Sequence, residues 1–325
     1  MINLIKIFVG FLFLTLTLQA QQLPIYSQYM MNGFLLNPAV AGSDGYTSFN
    51  LTAREQWLGF ENAPKTRSLS IQGRLLKRSY RIRRSGRGSR RFINSRSGRV
   101  GLGGVLYNDK NGLIDRTGLQ FTYAYHIFIG SSQVSFGISG SAFQLRINDE
   151  AFFLKNQDDP LNYSDLRKPV YVPDANFGMY YINPEYYAGI SVKQLFQSPV
   201  KIGNQVFNEF KMYRHYYLTG GYRFFLNGGY EFEPSILLQY TEQMISQADL
   251  GLRLYYLDDY WFGTSFRTSG ALIALAGFRL NRFYMGYSFD YSFSSIRKHS
   301  FGSHEIMIAF KMGDNARRYR WINRY

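Results

Sequence analysis

The chain has 325 residues, no cysteine, 37 lysines and arginines against 22 aspartates and glutamates, and a formal net charge of +15. Aromatic residues make up 18% of it, with 27 tyrosines and 28 phenylalanines, yet its mean hydropathy is only −0.23. The composition excludes a disulfide framework and a thiolate metal site, and it excludes a helical membrane protein built from long apolar runs.

Residues 1–20 have the pattern of a secretory signal peptide. Lys6 supplies a weak positive start, an apolar stretch covers 7–18, and Ala20 offers a small residue for cleavage before Gln21. The apolar stretch is too short for a stable membrane span, so an uncleaved anchor is the less favoured interpretation. We therefore expect a secreted chain, and the lack of cysteine is typical of the oxidising periplasm.

Residues 21–45 precede the first predicted strand, and their apolar residues follow no single period. We interpret this segment as a periplasmic plug or lid across the mouth of a barrel; contact with a partner protein is the alternative. Asn37-Pro38 followed by Ala41-Gly42 predicts a turn into the barrel, because proline fixes its own φ and glycine tolerates a positive φ. The apolar residues of the segment include Tyr26, Tyr29, Met30, Phe34, Leu35 and Leu36.

Residues 46–312 are cut into short segments in which every second residue is apolar or aromatic, as in 119–129 and 283–293. Successive strand side chains point to opposite faces of a sheet, so one face is apolar and the other is small and polar. The polar face is rich in Gly, Ser and Thr rather than Lys and Glu. This favours an all-β transmembrane barrel of the outer membrane, with a polar interior, over a soluble sandwich.

We predict about fourteen antiparallel strands, an even number as in bacterial single-chain barrels. The predicted strands are 46–54, 66–76, 99–107, 117–129, 133–145, 174–182, 186–194, 213–226, 230–240, 247–257, 260–268, 271–280, 283–293 and 303–312.

The connections between these strands alternate in length. Every second one is a tight turn, such as 130–132, 183–185 or 281–282, whereas long loops fall near 146–173 and 195–212. Short turns are periplasmic in such barrels and long loops extracellular. We therefore predict that both termini, including the basic tail 313–325, are periplasmic.

One connection on the predicted periplasmic side, 77–98, is long and strongly basic, with no acidic residue between Glu61 and Asp109. Its Arg, Ser and Gly content predicts a solvated, flexible loop. The loop either lies near anionic outer-membrane lipid or docks an acidic periplasmic partner, since charge speeds encounter; a secreted barrel gives little reason to expect nucleic acid. The candidate partner-binding residues are Arg81, Arg83, Arg84, Arg87, Arg90 and Arg91.

The sequence offers little support for catalysis, a cofactor or a metal. The four histidines, His126, His215, His299 and His304, lack ligand-like spacing. An outer-membrane hydrolase would need a nucleophile, a base and an orienting group at the rim. His126, with inward serines, is the one conceivable start of such a set, and a polar lumen residue is the favoured interpretation. We expect no enzyme activity.

Two motifs in order carry a family resemblance. The first is Tyr29-Met30, Asn37-Pro38-Ala39 and Ala41-Gly42; the second is Gln56-Trp57, Gly59-Phe60 and Ala63-Pro64-Lys65-Thr66. Together with 100–127 and 304–310, they resemble the PorP/SprF family of outer-membrane proteins in the type IX secretion and gliding system of Bacteroidetes-type bacteria. The basic stretch 77–98 is longer than the resemblance leads us to expect.

The resemblance implies a secretion component with two kinds of partner. One is a large secreted protein with a C-terminal signal domain, exported or anchored on the extracellular side. The others are periplasmic ring or peptidoglycan-binding lipoproteins. Trp57 and Phe60, at the first outer turn, are either interfacial anchors or cargo contacts. The alternative function is a porin or transporter for a small solute.

Overall fold

The computed structural model describes residues 25–84, 90–147, 169–202, 205–242 and 246–312. The predicted signal peptide, the tail 313–325 and Arg87 lie outside these ranges. In the described part the chain forms a closed antiparallel barrel of fourteen long strands, which confirms the predicted fold class. No helix of that part is long and apolar enough to cross a membrane.

Seventeen strands and four short 3-10 turns are described. The 3-10 turns are Gly33–Leu35, Pro38–Val40, Asn227–Gly229 and Ser295–His299. The strands are β1 Thr47–Glu55, β2 Lys65–Arg84, β3 Arg90–Asn111, β4 Ile114–Ile129, β5 Ser132–Ile147, β6 Val170–Ile182, β7 Tyr186–Lys193, β8 Pro199–Ile202, β9 Gln205–Lys211, β10 His215–Tyr222, β11 Phe224–Phe225, β12 Tyr230–Thr241, β13 Ser246–Tyr256, β14 Tyr260–Arg267, β15 Ala271–Leu280, β16 Phe283–Ser292 and β17 Ser303–Met312.

The barrel closes between its first and last strands. Strand β1 pairs with β17 over nine residues, from Thr47 opposite Met312 to Glu55 opposite His304. The other barrel strands pair with their neighbours in the chain, and β7 pairs with β10 because β8 and β9 form a separate hairpin. Closure leaves every barrel strand hydrogen-bonded on both sides, as a lipid environment requires.

The two faces of the sheet divide as the alternation predicts. Along β4, Phe121, Tyr123 and Tyr125 are exposed to the outside, whereas Thr122, Ala124 and His126 are buried towards the lumen. Outward aromatic rings also pack against each other across strands at a tilt, with ring centroids 4.8 Å apart for Tyr230 with Tyr256 and for Phe283 with Phe310. An apolar outer band with aromatic rings near the strand ends is typical of membrane barrels.

The barrel has two distinct ends. The short-turn end carries turns such as 130–131, 257–259 and 281–282, and several of their residues adopt a positive φ, including Gly130, Asp258 and Asn281. The long-loop end carries the connections 56–64, 148–169, 194–214 and 293–302. Strand β1 begins and strand β17 ends at the short-turn end.

One predicted connection contains a hairpin, and one predicted strand is divided in two. The loop predicted at 195–212 holds the hairpin β8–β9. The strand predicted at 213–226 is divided into β10 and β11 at Arg223, whose guanidinium binds Glu231 and Glu233. Its backbone N–H donates to the Glu185 carbonyl, which is the next pair in the register of β10 with β7. Strand β11 keeps the register of β10 with β12, so the predicted strand continues through Arg223.

The basic connection 77–98 is not a loop. Strands β2 and β3 continue past the barrel as a hairpin, with Lys77 opposite Ser97 and Arg84 opposite Arg90. A register shift between Leu75 and Lys77 marks where the hairpin leaves the barrel wall. Backbone pairing continues there because Tyr80, Ile82, Phe92 and Ile93 favour strands, whereas the composition argument weighed only charge and small residues. We call residues 77–97 the basic hairpin.

Candidate functional site

The lumen of the barrel is filled by residues 25–45, which we call the plug segment. It forms two 3-10 turns, Gly33–Leu35 and Pro38–Val40. Phe34 is 1% exposed and Ala39 is fully buried, so this polar-lined lumen has an apolar filling. The family-motif residues Tyr29, Asn37, Pro38 and Gly42 all lie in the plug segment.

Asn37 joins the plug segment to the barrel wall. Its side-chain oxygen accepts from the Ala39 N–H at 2.9 Å and caps the second 3-10 turn, where Pro38 takes the first position. Its amide nitrogen donates to the carbonyls of Met179 at 2.8 Å and Ile190 at 3.3 Å. One short side chain therefore satisfies a local turn and two wall strands.

Gly42 lies near the carboxyl end of the plug segment, at a position where no side chain fits. Its φ is +67°, and a Cβ there would lie 2.7 Å from the Gly73 carbonyl oxygen. Its N–H donates to the Gln72 side chain, and its carbonyl accepts from Arg74 Nε at 2.8 Å. The predicted turn at Asn37–Gly42 is confirmed, and its glycine is required both by backbone angle and by space.

Glycines on the inward face of the wall make room for the plug segment. A Cβ on Gly137 would lie 2.3 Å from the Ala39 nitrogen, and one on Gly103 would lie 2.5 Å from the Phe34 ring. A Cβ on Gly178 would lie 2.0 Å from the Asn37 side-chain oxygen. The inward glycines of the strands thus mark the path of the plug segment.

An ion-pair cluster holds the plug segment near the long-loop end. Glu305 accepts from the backbone N–H groups of Ser27 at 2.8 Å and Gln28 at 2.9 Å. Arg54 bridges Glu305 at 3.2 Å and Asp290 at 2.7 Å. The Ser27 hydroxyl donates to Asp290 at 2.6 Å. Glu305 and Arg54 lie on the two strands that close the barrel, so the plug segment bonds to the closing seam.

A second ion-pair cluster lies near the short-turn end. Glu233 is fully buried between Arg253, at 2.6 Å, and Arg223, at 3.2 Å. The Arg223 guanidinium also lies over the Tyr255 ring, 4.8 Å from its centroid. Buried charges of this kind persist only when paired. The bulky inward Tyr255, with Tyr284, narrows the lumen here.

The plug segment runs along the barrel axis instead of lying across one mouth. Ser27 bonds to Glu305, which pairs with Arg54, whereas Gly42 bonds to Gln72, which pairs with Ser48. Arg54 is six steps further along β1 than Ser48, about 20 Å of strand at roughly 3.3 Å per residue. Residues 25–45 therefore lie as a plug along the lumen and not as a lid across one mouth. The plug segment lies in the lumen because it bonds to wall strands that are distant in the chain, and the local sequence does not show such contacts.

Burial changes the acidity of two plug tyrosines. Desolvation raises the pKa of Tyr29 to about 12, because the phenolate would lose its hydration inside the lumen. The same burial raises the pKa of Tyr26 further.

The second family motif shapes the loop 56–64 at the long-loop end. Trp57 and Gly59 both have a positive φ, and the Trp57 N–H donates to the Ser303 hydroxyl at 3.1 Å. A Cβ on Gly59 would lie 3.0 Å from the Phe301 ring. This half of the motif therefore fixes how the loop packs beside the start of β17.

The remaining residues of that motif divide between surface and wall. Phe60 is 47% exposed, and Lys65 forms an exposed ion pair with Glu55 at 3.2 Å. The Pro64 carbonyl accepts from the Gln56 N–H at 2.9 Å, which closes the loop base. Thr66 is buried and donates to Asp109 at 2.8 Å.

His126 is a buried wall residue in contact with the plug segment. One ring nitrogen lies 2.8 Å from the Ser135 hydroxyl and the other lies 3.0 Å from the Ala41 carbonyl. The carbonyl only accepts, so the nitrogen beside it carries the proton and the Ser135 hydroxyl donates to the other. The histidine is fully buried against the plug segment, three residues before the short-turn end of β4.

Sequence reasoning named neither the ion clusters nor the wall glycines. Arg54, Glu305 and Glu233 stand at inward positions of strands, where a charge is costly without a partner. Charged residues at positions where the alternation predicts an inward side chain were the signal that could have revealed these clusters. The predicted partner-binding residues that the structure describes lie within the basic hairpin: Arg81, Arg83, Arg84, Arg90 and Arg91.

The fold and the filled lumen define an outer-membrane β-barrel closed by its own amino-terminal segment. The model of the PorP/SprF family, type IX secretion system membrane proteins, matches residues 18–310. The chain belongs to this family. It is a membrane component of the type IX secretion system, as the two motifs indicated.

Solved barrels resemble the chain more distantly. The toluene transporter TbuX of Ralstonia pickettii is 11% identical, with a TM-score of 0.49 over 88% of this chain and 93% of that one. Omp33 of Acinetobacter baumannii is 6% identical, with a TM-score of 0.43 over 83% and 100%. These values carry no argument about function. Among curated proteins none matches the chain.

Proposed function

We propose that this barrel supports export or surface anchoring of one large secreted protein that carries a C-terminal signal domain. The observation behind the proposal is family membership over residues 18–310. In this proposal the long-loop end is extracellular and meets the cargo. The short-turn end, with the basic hairpin, is periplasmic and meets ring or peptidoglycan-binding lipoproteins of the system.

The filled lumen supports this function over passage of a small solute. A diffusion pore needs a continuous aqueous path, whereas the plug segment occupies the space between the two ion clusters. The cavities that remain beside it include two of about 80 and 70 Å³.

The register of the basic hairpin supports an acidic partner. It sets Arg78 opposite Arg96, Arg83 opposite Arg91 and Arg84 opposite Arg90. Like charges directly opposite each other destabilise an antiparallel pair. A partner that supplies carboxylates would relieve this repulsion, so binding and strand pairing would favour each other.

Replacing Arg81, Arg83, Arg84, Arg87, Arg90 and Arg91 by Gln should leave the barrel folded but weaken its association with the periplasmic proteins of the system. The measurement is co-isolation from native membranes across a salt series. Wild-type association should fall as salt rises, because exposed charges are screened over about 8–10 Å at physiological ionic strength.

A matched control replaces exposed basic residues elsewhere, Arg67 and Lys65 on β2, by Gln. An equal loss with this control, or wild-type association that salt does not affect, would reject the basic hairpin as the docking surface. A barrel that retains its partner but fails to display cargo would separate docking from export.

A further inference from the structure

The two ends of the plug segment lie at opposite ends of the barrel. The segment joins β1 at Thr47, at the short-turn end, so its covalent attachment is there. Its other end, at Ser27 and Gln28, bonds to Glu305 near the opposite end. Glu305 is the third residue of β17, counted from the long-loop end.

Neighbouring contacts place the start of the described chain at the same level. Tyr26 shares a cavity with Phe143, Asp174 and Gln194, and Gln194 lies just past the long-loop end of β7. Arg54, which donates to the Ser27 hydroxyl at 2.7 Å, is the penultimate residue of β1 at that end. The segment has thus crossed most of the barrel before Ile25 is reached.

We infer that the plug segment presents its amino end, Ile25, to the long-loop mouth, opposite to the end where β17 finishes. The described chain therefore starts at one end of the barrel and finishes at the other, with Ile25 on the side of loops 56–64 and 293–302. This departs from the expectation that both termini are periplasmic.

The contacts at this mouth indicate how the free end is held. Glu305 captures two consecutive backbone N–H groups, so it binds the backbone whatever the side chains are. Further along, Lys193 and Ser191 donate to the carbonyls of Leu35 and Leu36. Backbone capture at these points positions the segment along the wall, with its amino end towards the long-loop mouth.

An epitope tag with a flexible linker, inserted between Gln22 and Leu23, tests the inference. Two reference variants report the ends of the barrel in the cysteine-free protein: Glu61→Cys at the long-loop end and Ser131→Cys at the short-turn end. Intact cells are probed with antibody and an impermeant maleimide, before and after permeabilisation. Only heat-modifiable, folded protein is scored.

The tag should share the sidedness of Glu61→Cys, whichever compartment that proves to be. A tag that shares the sidedness of Ser131→Cys, or that antibody reaches in neither state, would overturn the inference. If the tag prevents folding, Leu23→Cys replaces it and is scored against the same two references. The result depends only on which reference cysteine the tag matches. It therefore tests the inference even if the proposed secretion function is wrong.

Discussion

Replacing Glu305 by Ala should lower the free energy of unfolding by about 3–5 kcal/mol, the usual cost of removing one partner of a buried ion pair. The change leaves Arg54 with Asp290 alone, and it leaves the N–H groups of Ser27 and Gln28 unbound in the lumen. Because Glu305 and Arg54 lie on the closing strands, the loss falls on the seam of the barrel. Urea unfolding of the reconstituted protein, followed by heat-modifiability, measures it.

Glu55→Ala is the matched control. Glu55 lies beside Arg54 on the same strand, and its ion pair with Lys65 at 3.2 Å is largely exposed. An exposed pair contributes about 0–1 kcal/mol. Equal destabilisation by the two substitutions would show that the plug segment does not contribute to closure of the barrel.

Gly137→Val should open the barrel to ions. The new side chain would begin 2.3 Å from the Ala39 nitrogen, so plug and wall cannot both keep their positions. The wall is held by ladder hydrogen bonds on both sides, whereas the plug segment is held by fewer contacts and should yield. The wild-type protein in planar bilayers should show no large steady conductance, and the variant should show a stable open level.

Gly140→Val provides the control on the same strand. A Cβ on Gly140 meets no atom within 4 Å, and the residue faces outward. This variant should stay closed. A wild-type protein that already conducts steadily would count against the filled lumen and favour the small-solute alternative, as would a Gly137→Val variant that folds and remains closed.

The strands were predictable because their pattern is local. An alternation such as Phe121, Tyr123 and Tyr125 against Thr122 and Ala124 is set by the two environments of the wall, lipid and lumen, and it can be read without partners. The tight turns were predictable for the same reason, since residues such as Gly130 and Asn281 tolerate a positive φ. The number of barrel strands followed from the same pattern.

The path of the plug segment was not predictable, because it depends on contacts between residues far apart in the chain. Ser27 meets Glu305, and Asn37 meets Met179 and Ile190. No period within 21–45 encodes such contacts. The sequence did contain their counterpart in the inward glycines 103, 137 and 178, which make sense only once something else fills the space they leave.

The basic hairpin shows a third case. Its charge was evident, and its strand character was hidden because composition and pattern disagreed: arginine and serine indicate solvated chain, while Tyr80, Ile82 and Phe92 favour strand pairing. The backbone pairs continuously from Lys77 to Arg84 even though the register sets arginines opposite each other.

Deleting the gene and comparing the surface proteins and nutrient uptake of the two strains tests the proposed secretion function most directly. The account predicts that one large protein with a C-terminal signal domain disappears from the cell surface, that the chain restores it, and that uptake of small solutes is unchanged. Loss of uptake of one small solute, with the surface proteins intact, would contradict it.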